Sequence, residues 1–318
     1  MHIGTDIQEA AQHLRLGGLV AIPTETVYGL AANAFDPDAV IRIFEVKKRP
    51  LFNPLIVHTS SADRIEALAG PFPEPLRRLS EYFWPGPLTI LLPRQDSIHP
   101  VVTAGSQLVA IRIPAHPLTL ELLKAIPFPL AAPSANLFGT VSPTTAQHVA
   151  DQFGDTLDYI LDGGPCTVGI ESTIIKMGDD NKVCVLRPGG VSMEAIAEKL
   201  GYMPERVGSA QESPEAPGML RSHYAPGIPL ILGQITNLLP KYAEKKLAIL
   251  SLNSTFSSNN IVAQKALSVD GNLHEAARNL FGALRTLEGC GAELILAEPV
   301  PDNGIGIAIN DRLHRAST

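Results

Sequence analysis

The segment from Lys47 to His58, with the sequence KKRPLFNPLIVH, constrains the fold more than any other part of the chain. Its pattern predicts a basic turn that follows an amphipathic helix and leads through two prolines into a short apolar strand. Lys47, Lys48 and Arg49 therefore lie together before a strand, which is a suitable place to bind an anion. The alternative is structural, because basic residues in the last turn of a helix stabilise the negative end of its dipole.

The helix that precedes this turn carries its own start and stop signals. Asp36 is expected to be the N-cap and Pro37 the first helical residue. Pro50 is expected to stop the helix, because proline lacks a backbone N–H and clashes with the preceding turn. The apolar side of this helix is predicted to contain Val40, Ile41 and Phe44.

A second polar cluster follows another apolar strand in the same way. The segment Ala132-Pro133-Ser134-Ala135-Asn136 comes directly after Leu130-Ala131. Polar loops at the ends of strands commonly contribute to one ligand cleft. The two loops together favour the anion-binding interpretation of the basic turn.

The charge balance of the chain limits the kind of ligand. Its 318 residues carry a formal net charge of -7 at pH 7, and the sequence pI is about 5.7. A protein that holds RNA through a broad basic face is expected to be basic, so strong direct binding of nucleic acid is not expected. A small-molecule substrate is favoured.

Cysteine usage and hydropathy indicate a cytoplasmic protein. Cys166, Cys184 and Cys290 are too few and too far apart for a disulfide framework or a thiolate metal site. No apolar run approaches the roughly 20 residues that are needed to span a bilayer. The first residues, which include Asp6 and Glu9, do not resemble a signal peptide. We therefore expect no membrane contact.

Apolar runs and helical periods divide the chain into two α/β domains and a linker. Residues 1–202 are predicted to form a mixed α/β domain, and residues 228–318 a smaller domain of β/α layers. Residues 203–227 are the linker, because Ser209–Gly218 contains two prolines and no apolar period. The predicted strands are near 19–22, 55–57, 89–92, 109–113, 130–132, 159–161, 173–175, 183–186, 229–232, 247–252 and 294–297. The predicted helices are near 6–16, 61–68, 75–83, 117–125, 143–153, 192–200, 235–244, 272–288 and 304–315, besides the one after Asp36.

Common nucleotide and hydrolase signatures are absent from the sequence. No Gly-x4-Gly-Lys-Ser/Thr segment occurs, so a nucleotide must be held by separate loops. No Gly-x-Ser-x-Gly segment occurs, which removes the commonest serine-hydrolase signature. Gly304-x-Gly306 lacks the third glycine of a dinucleotide fingerprint and is interpreted as the start of a helix.

The chemistry of a nucleoside triphosphate selects candidate residues. Its phosphates need cations, which Lys47 and Arg49 supply, and its remaining oxygens need neutral donors. Arg49 suits a bidentate grip, whereas Lys47 acts as a mobile point charge. The neutral candidates are Asn53, Ser134, Asn136 and Ser142. Each could instead cap a helix or turn, and for Ser142 an N-cap role is equally well supported.

An amino-acid substrate needs a cation for its carboxylate, acceptors for its ammonium group and a small polar partner for any hydroxyl. Arg112 is the candidate cation, because it alternates with apolar residues in a predicted strand. The alternative is a structural salt bridge. Thr26, His58 and Ser172 are the polar candidates, although a histidine that ends an apolar strand is more often structural than catalytic.

These segments resemble the YrdC-type threonylcarbamoyladenylate synthase family. The basic and polar tetrad of that family is similar to Lys47-x-Arg49 with Ser134-x-Asn136. The resemblance continues, in the order of the family, through PTETVYGL at 23–30, the segment at 49–58, WPGPLT at 84–89, RIP at 112–114, GIESTI at 169–174 and LRPG at 186–189. SHYAP at 222–226 and GIGIAINDRL at 304–313 resemble the longer, two-domain members.

The resemblance implies a fold and an activity. The fold is α/β, a YrdC-like mixed twisted-sheet domain with a central cleft followed by a small Rossmann-like domain. The activity is synthesis of threonylcarbamoyl-adenylate from L-threonine, bicarbonate or CO₂, and ATP with Mg²⁺, and pyrophosphate is released. The product would pass to the machinery that transfers the threonylcarbamoyl group to tRNA.

The resemblance also implies two groups of contact residues. The ATP contacts are Lys47, Arg49, Asn53, the backbone near Leu108, Ser134, Asn136, Ser142, Arg187 and Tyr224. The threonine contacts are Thr26, His58, Arg112, the Ala132 backbone and Ser172. Lys47 and Arg49 are the predicted catalytic residues, no side chain is predicted to bind a metal, and Mg²⁺ is expected through the ATP phosphates.

Two other functions remain open at this point. An RNA-binding module could use the same cleft without making an adenylate, but the acidic charge balance weighs against it. Carbamoyl transfer is the activity of relatives that carry additional acylphosphatase-like and zinc-finger segments, which this sequence lacks. For the linker, Tyr224 could simply dock the second domain, and the resemblance instead favours a lid over the cleft.

Overall fold

The computed structural model describes residues 2–207, 216–219 and 223–317. Its largest element is an eleven-stranded mixed sheet with the strand order β1-β8-β2-β3-β7-β4-β6-β5-β9-β10-β11. The strands are β1 (His2–Gly4), β2 (Val20–Ile22), β3 (Gly29–Asn33), β4 (Ile56–His58), β5 (Leu88–Pro93), β6 (Leu108–Arg112), β7 (Leu130–Ala131), β8 (Tyr159–Leu161), β9 (Thr173–Met177), β10 (Val183–Arg187) and β11 (Glu205–Arg206).

Six α-helices belong to the part of the chain that forms this sheet: α1 (Ile7–Arg15), α2 (Pro37–Lys47), α3 (Glu74–Phe83), α4 (Pro117–Ala125), α5 (Ala146–Phe153) and α6 (Met193–Leu200). Two short 3₁₀ segments lie at Ala62–Ala67 and Gly154–Thr156. The core contains mainly aliphatic side chains, such as Leu30, Ile43 and Val57, which are completely buried. Burial of this apolar area is the main driving force for folding.

The second domain contains a separate parallel sheet of four strands in the order β12-β15-β13-β14. The strands are β12 (Leu230–Leu232), β13 (Leu247–Ser251), β14 (Ile261–Ala266) and β15 (Leu294–Ala297). The helices are α7 (Ile235–Leu238), which continues as a 3₁₀ turn over Leu239–Tyr242, α8 (Leu273–Glu288) and α9 (Gly306–Ala316). The predicted fold class, a mixed twisted sheet followed by a small parallel β/α domain, is confirmed.

The helix before the basic turn differs from the prediction at two points. Asp36 is its N-cap, with Oδ1 accepting from two backbone N–H groups, as predicted. The helix ends at Lys47, because Lys48 adopts a left-handed conformation with φ 52° and caps it before Pro50 is reached. Ile41 is 38% exposed, whereas Ile43 is buried, so the prediction that Ile41 faces the core is wrong. The buried side of this helix comprises Ala39, Val40, Ile43, Phe44 and Lys47.

Ser142 does not take the N-cap role that was its alternative to a ligand contact. Helix α5 begins at Ala146, and Thr145 caps it by accepting from the His148 N–H at 3.2 Å. Ser142 lies three residues before Thr145 and is fully buried. Its hydroxyl donates to the Glu171 carboxylate.

Strand pairing places two site candidates side by side. β4 pairs in parallel with β6, and this register aligns His58 with Arg112. On its other edge β4 pairs with β7, after which the Ala132 N–H donates to the Ile56 carbonyl at 2.9 Å. The polar loop that begins at Ala132 therefore emerges beside β4, as the spacing of the two loops predicts.

The second domain packs against the first through a shared apolar cluster. Val27, Val141 and Ile170 of the first domain join the buried residues of α8 and α9 in this cluster, together with Tyr224 of the linker. Among the described residues, no helix combines the length and hydropathy that a transmembrane span requires.

Candidate active site

A cleft lies between the strand ends, the polar loop and the linker. It encloses about 530 Å³ of space not filled by protein atoms, including open solvent at its mouth. Nine of the predicted residues line it: Thr26, Arg49, His58, Arg112, Ala132, Ser134, Ser172, Arg187 and Tyr224. The structure thus brings together candidates that are far apart in the sequence.

The other five predicted residues lie outside the lining of the cleft and support it from behind or from the side. Asn53 is fully buried and binds Arg49, and Ser142 binds Glu171. Leu108 is half-buried in an apolar cluster with Ile56. Lys47, the last residue of α2, and Asn136, in the polar loop, are both buried, and the Lys47 ammonium contacts the Asn136 carbonyl.

Arg49 is held by the segment that follows it in the chain. Its Nε donates to the Asn53 carbonyl at 3.1 Å, and its Nη2 donates to Asn53 Oδ1 at 2.7 Å and to the Pro54 carbonyl at 2.8 Å. Burial lowers the pKa of Arg49 to about 9, which still leaves the guanidinium protonated at neutral pH. Arg49 therefore presents a fixed positive charge to the cleft.

Lys47 fixes the polar loop. Its Nζ donates to the backbone carbonyls of Ser134, at 2.5 Å, and of Asn136. The Lys47 carbonyl in turn accepts from the Phe138 N–H at 2.8 Å. Burial, and then the charge of Arg49, lowers the pKa of Lys47 well below its ordinary value. The end of α2 and the polar loop are consequently one unit.

Arg112 combines a buried ion pair with a contact to a hydroxyl. Its Nη2 lies 2.6 Å from Oε1 of Glu25, although the two atoms are not aligned as a hydrogen bond. Its Nη1 donates to Oγ1 of Thr26 at 2.9 Å, and its Nε donates to the Gly86 carbonyl at 3.2 Å. The pair is buried, so the structural alternative for Arg112 is present, yet the guanidinium also lines the cleft.

Ser172 and Arg187 form a second cationic corner. Arg187 donates through Nη2 to the Ser172 carbonyl at 2.9 Å and to Ser172 Oγ at 3.2 Å. Ser172 Oγ also lies 2.7 Å from Oγ1 of Thr89. Arg187 Nη1 donates to the Pro217 carbonyl at 3.0 Å, which ties the linker to the cleft.

Two histidines in the cleft are electrically neutral. Burial, together with the nearby charge of Arg112, lowers the pKa of His58 to about 3. Burial and four surrounding cations, of which Arg49 and Lys47 are the strongest, lower the pKa of His223 well below its ordinary value. The positive charge that lines the cleft therefore comes from its arginines.

Tyr224 forms the linker side of the cleft. It is 1% exposed, has a left-handed φ of 65°, and stacks on Phe281 of α8 with ring centroids 5.6 Å apart. Gly218 passes so close that an added Cβ would lie 2.7 Å from the Tyr224 hydroxyl oxygen. Ser209–Glu215 and Ser222, which belong to the predicted linker, lie outside the described residues.

The sequence did not point to three residues that shape the cleft: Glu25, Glu171 and His223. Each carboxylate stands alone in a segment of small or apolar residues, Glu25 between two threonines and Glu171 between Ile170 and Ser172. A lone carboxylate in such a segment must find a partner once it is buried, which was the available signal. In the sequence, His223 stands out only as part of the SHYAP segment at 222–226.

The carboxylates near the cleft are already paired. Glu25 forms an ion pair with Arg112, and Glu171 accepts hydrogen bonds from Ser142 and from Arg312 of α9. Within the described ranges there is no group of three or more His, Cys, Asp or Glu side chains that could hold a metal. The donor set of the cleft thus suits anions, and a divalent ion would have to bring its own ligands.

Comparisons with known proteins identify the family. A Sua5/YciO/YrdC family model, described as telomere recombination, matches residues 12–189. A second model, the threonylcarbamoyl-AMP synthase C-terminal domain, matches residues 191–318. The threonylcarbamoyl-AMP synthase of Pyrococcus abyssi is 42% identical, over 98% of this chain and 94% of the relative. The Bacillus subtilis threonylcarbamoyl-AMP synthase is 41% identical, over 98% of this chain and 92% of the relative.

Solved structures agree with this assignment. The crystal structure of Pyrococcus abyssi Sua5 complexed with L-threonine superposes with a TM-score of 0.92 at 40% identity, covering 98% of this chain and 94% of that chain. A HypF structure, at 21% identity and a TM-score of 0.53, shares the fold over 59% of this chain. Because both family models match and the full-length relatives exceed 40% identity, the chain belongs to the two-domain threonylcarbamoyl-AMP synthase family.

Proposed function

We propose that the cleft makes threonylcarbamoyl-AMP from L-threonine, bicarbonate or CO₂, and ATP, with release of pyrophosphate. One observation carries the proposal: three buried arginines, Arg49, Arg112 and Arg187, line one cleft in a chain whose net charge is -7. Such a cleft attracts small polyanions and carboxylates against the charge of the whole protein.

The threonine subsite is proposed around Arg112. A guanidinium has five N–H donors, and the contacts with Gly86 and Thr26 use two of them, so donors remain for a carboxylate beside the Glu25 pair. Thr26 and Ser172 offer hydroxyls, and the Ala132 backbone and neutral His58 complete the wall. A small, zwitterionic, hydroxyl-bearing amino acid satisfies these groups.

The nucleotide subsite is proposed between Arg49, Ser134 and Arg187, with Tyr224 on its linker side. Ser134 is half-buried at the cleft, and its loop is fixed by Lys47. Asn53, Asn136, Ser142 and the Leu108 backbone belong to the same proposed subsite. Asn53 holds Arg49, Asn136 donates to the Thr140 carbonyl within the polar loop, and Ser142 donates to Glu171. Lys47 and Arg49 are the proposed catalytic residues.

The chemistry needs positioning and charge stabilisation. The threonine nitrogen, as the free amine, forms a bond to the carbon of CO₂ and releases a proton, or to the carbon of bicarbonate with loss of water, and either step yields a carbamate. A carbamate oxygen then attacks the α-phosphorus as the bond to pyrophosphate breaks. Fixed cations that face the leaving pyrophosphate lower the barrier, and no covalent enzyme intermediate is required.

The metal, the localisation and the downstream partner follow from this reaction. Mg²⁺ is proposed to enter with ATP, held by phosphate oxygens and water, because the carboxylates at the cleft are paired. The product is proposed to pass, in the cytoplasm, to the machinery that modifies tRNA. The chain itself is not proposed to hold RNA strongly.

The linker is proposed to act as a lid. Ala216 and Met219 are buried in a cluster with Ile56 and Leu186, while Pro217 and Gly218 line the cleft. Pro217, Gly218 and Tyr224 of the linker thus line a site whose product must be protected from water. The proposed domain limits remain 1–202, 203–227 and 228–318.

Incubation with labelled bicarbonate, threonine and ATP tests the activity. The expected result is pyrophosphate release that requires all three substrates, together with a labelled threonylcarbamoyl-AMP. Salt-sensitive RNA binding without pyrophosphate release would instead support an RNA-binding module. In a parallel incubation with labelled carbamoyl phosphate, transfer of the label without a requirement for threonine would support carbamoyl transfer.

A further inference from the structure

The last helix of the chain reaches the first domain through one buried arginine. Arg312 lies on α9 and is 1% exposed. Its Nε donates to Oε2 of Glu171 at 2.8 Å, and its Nη1 donates to the Pro188 carbonyl at 3.0 Å. Both partners belong to the first domain, so one guanidinium crosses the boundary between the domains.

The Glu171 end of this contact belongs to the cleft wall. Glu171 lines the cleft, and its Oε1 accepts from the Ser142 hydroxyl at 2.7 Å. Burial alone would raise the pKa of Glu171, but the charges of Arg312 and Arg187 hold it below its ordinary value. An ionised carboxylate can only accept, so the proton of Ser142 is fixed toward Glu171.

The same guanidinium supports the linker side of the cleft. Its Cζ lies 5.2 Å from the centroid of the Tyr224 ring, which is within the range of a cation–π contact. Phe281 stacks on the ring as well. Arg312 Nη2 has no hydrogen-bond partner in the described part of the chain, so this edge of the guanidinium is not committed to another protein group.

We propose that Arg312 is a positioning residue for the nucleotide: it orients Glu171 with Ser142 on one side and Tyr224 on the other. The second domain thereby completes the cleft without lining it. A buried ion pair adds little net stability, because desolvation of both charges offsets their attraction, so its placement against two cleft residues needs another explanation. This inference rests on the proposed function, since Ser142 and Tyr224 are proposed ATP contacts.

Arg206 provides a matched control. Its Nη2 lies 2.6 Å from Oδ1 of Asp311, the neighbour of Arg312 on α9, so this pair joins β11, at the start of the linker, to the second domain. The Arg206 side chain is 43% exposed, and Arg206 does not line the cleft. Asp311 also accepts from Arg312, through Oδ2 at 2.9 Å. Loss of Arg206 therefore tests docking of the second domain while the contacts of Arg312 with Glu171 and Tyr224 stay in place.

The experiment compares Arg312→Gln with Arg206→Gln in the full-length protein. ATP and threonine affinities are measured by calorimetry, and the KM for each substrate and kcat by pyrophosphate release. We expect Arg312→Gln to lower the affinity for ATP at least about tenfold and the affinity for threonine less than about threefold. Arg206→Gln should change each affinity less than about twofold. Equal losses in the two variants, or equal losses for the two substrates, would overturn the inference.

Two further variants keep the test decisive if Arg312→Gln does not fold. Arg312→Lys keeps the charge beside Glu171 and should retain part of the ATP affinity. In Glu171→Gln, the additional Arg312→Lys change should cost less ATP affinity than it does alone, because the two residues act together. Additive losses contradict the inference. If the wild-type protein binds ATP but releases no pyrophosphate, the proposed function fails, whereas the ATP affinities still decide the role of Arg312.

Discussion

The guanidinium of Arg112 donates to the Thr26 hydroxyl at 2.9 Å and, with its other terminal nitrogen, lies 2.6 Å from the Glu25 carboxylate. One cation is thus shared between a buried carboxylate and the floor of the cleft. Glu25 also accepts from the Ala115 N–H at 3.1 Å, which fixes the carboxylate from behind. Arg112 is therefore oriented before a substrate arrives, and a substrate carboxylate gains from this preorganisation.

Arg112→Lys should change the KM for threonine more than the KM for ATP. Lysine keeps the charge but loses the planar fork, so it cannot contact Thr26, Gly86 and a carboxylate together. The apparent KM for threonine should rise by at least about tenfold, and that for ATP should rise much less. Steady-state pyrophosphate release with each substrate varied in turn measures both. Equal rises in the two KM values would show that Arg112 is only a structural partner of Glu25.

Arg49→Lys should lower catalysis through the phosphate subsite. The change keeps a cation but removes the fork that Asn53 and the Pro54 carbonyl hold. Pyrophosphate release should fall at least about tenfold, which corresponds to about 1.4 kcal/mol of transition-state stabilisation.

Arg42→Lys is the matched control for this change. Arg42 lies on α2, the helix that precedes Arg49, is exposed, and donates to the Gly17 carbonyl away from the cleft. Unchanged activity in Arg42→Lys together with a loss in Arg49→Lys supports the phosphate role. Full activity in Arg49→Lys with only a lower melting temperature would assign Arg49 to folding alone.

The basic turn shows which features of the site could be predicted from the sequence and which could not. Its residues and the N-cap Asp36 were predictable, because local patterns determine helix ends. Lys47 had two interpretations, an anion contact or a helix-dipole partner, and the structure shows another role, since its ammonium holds the Ser134 and Asn136 carbonyls. That role depends on a loop 87 residues away and has no local signal.

The strands that the sequence missed follow the same logic. β3 has the sequence GLAAN, which lacks the β-branched and aromatic residues that identify strands, and it exists because β2 and β7 pair with its two edges. Arg312 likewise looks like an ordinary polar residue of a helix, because its burial and its Glu171 partner come from tertiary packing. Pairing and packing at long range could not be predicted from periodicity.

His58 should make the folded state sensitive to acid. Its pKa is about 3 in the folded protein, because burial and Arg112 disfavour its charged form, against 6.5 for an unperturbed histidine. Between about pH 3 and pH 6.5, His58 is therefore protonated in the unfolded chain but not in the folded chain. Stability from this residue is complete above about pH 6.5 and is lost as the pH falls toward 3, by up to about 1.4 kcal/mol per pH unit.

Denaturant unfolding of the wild type and of His58→Gln between pH 7 and 4 measures this contribution. The difference in unfolding free energy between the two proteins should shrink as the pH falls, because glutamine does not titrate. His274→Gln, at an exposed position on α8, is the control for loss of an imidazole at the surface. A difference that does not vary with pH contradicts the expected burial of a neutral His58.

Tyr224→Ala should open the proposed lid. The ring lies beside Gly218 and carries the linker onto the cleft, so its loss should weaken ATP binding and leave the adenylate exposed to water. Calorimetry measures the ATP affinity, and limited proteolysis measures cutting between Ser209 and Gly218 with and without ATP plus threonine. The wild type should become protected when both substrates bind, and Tyr224→Ala should lose this protection together with at least about tenfold in ATP affinity.

Phe281→Leu separates a lid from simple docking of the second domain. Phe281 stacks on Tyr224 from α8, is fully buried, and does not line the cleft, so its replacement loosens the domain contact while the tyrosine remains. If Tyr224 acts as part of a lid, Phe281→Leu should keep ligand-induced protection and most of the ATP affinity. If Phe281→Leu loses as much ATP affinity as Tyr224→Ala, docking alone accounts for the effect, and unchanged cutting and affinity in Tyr224→Ala would rule out the lid.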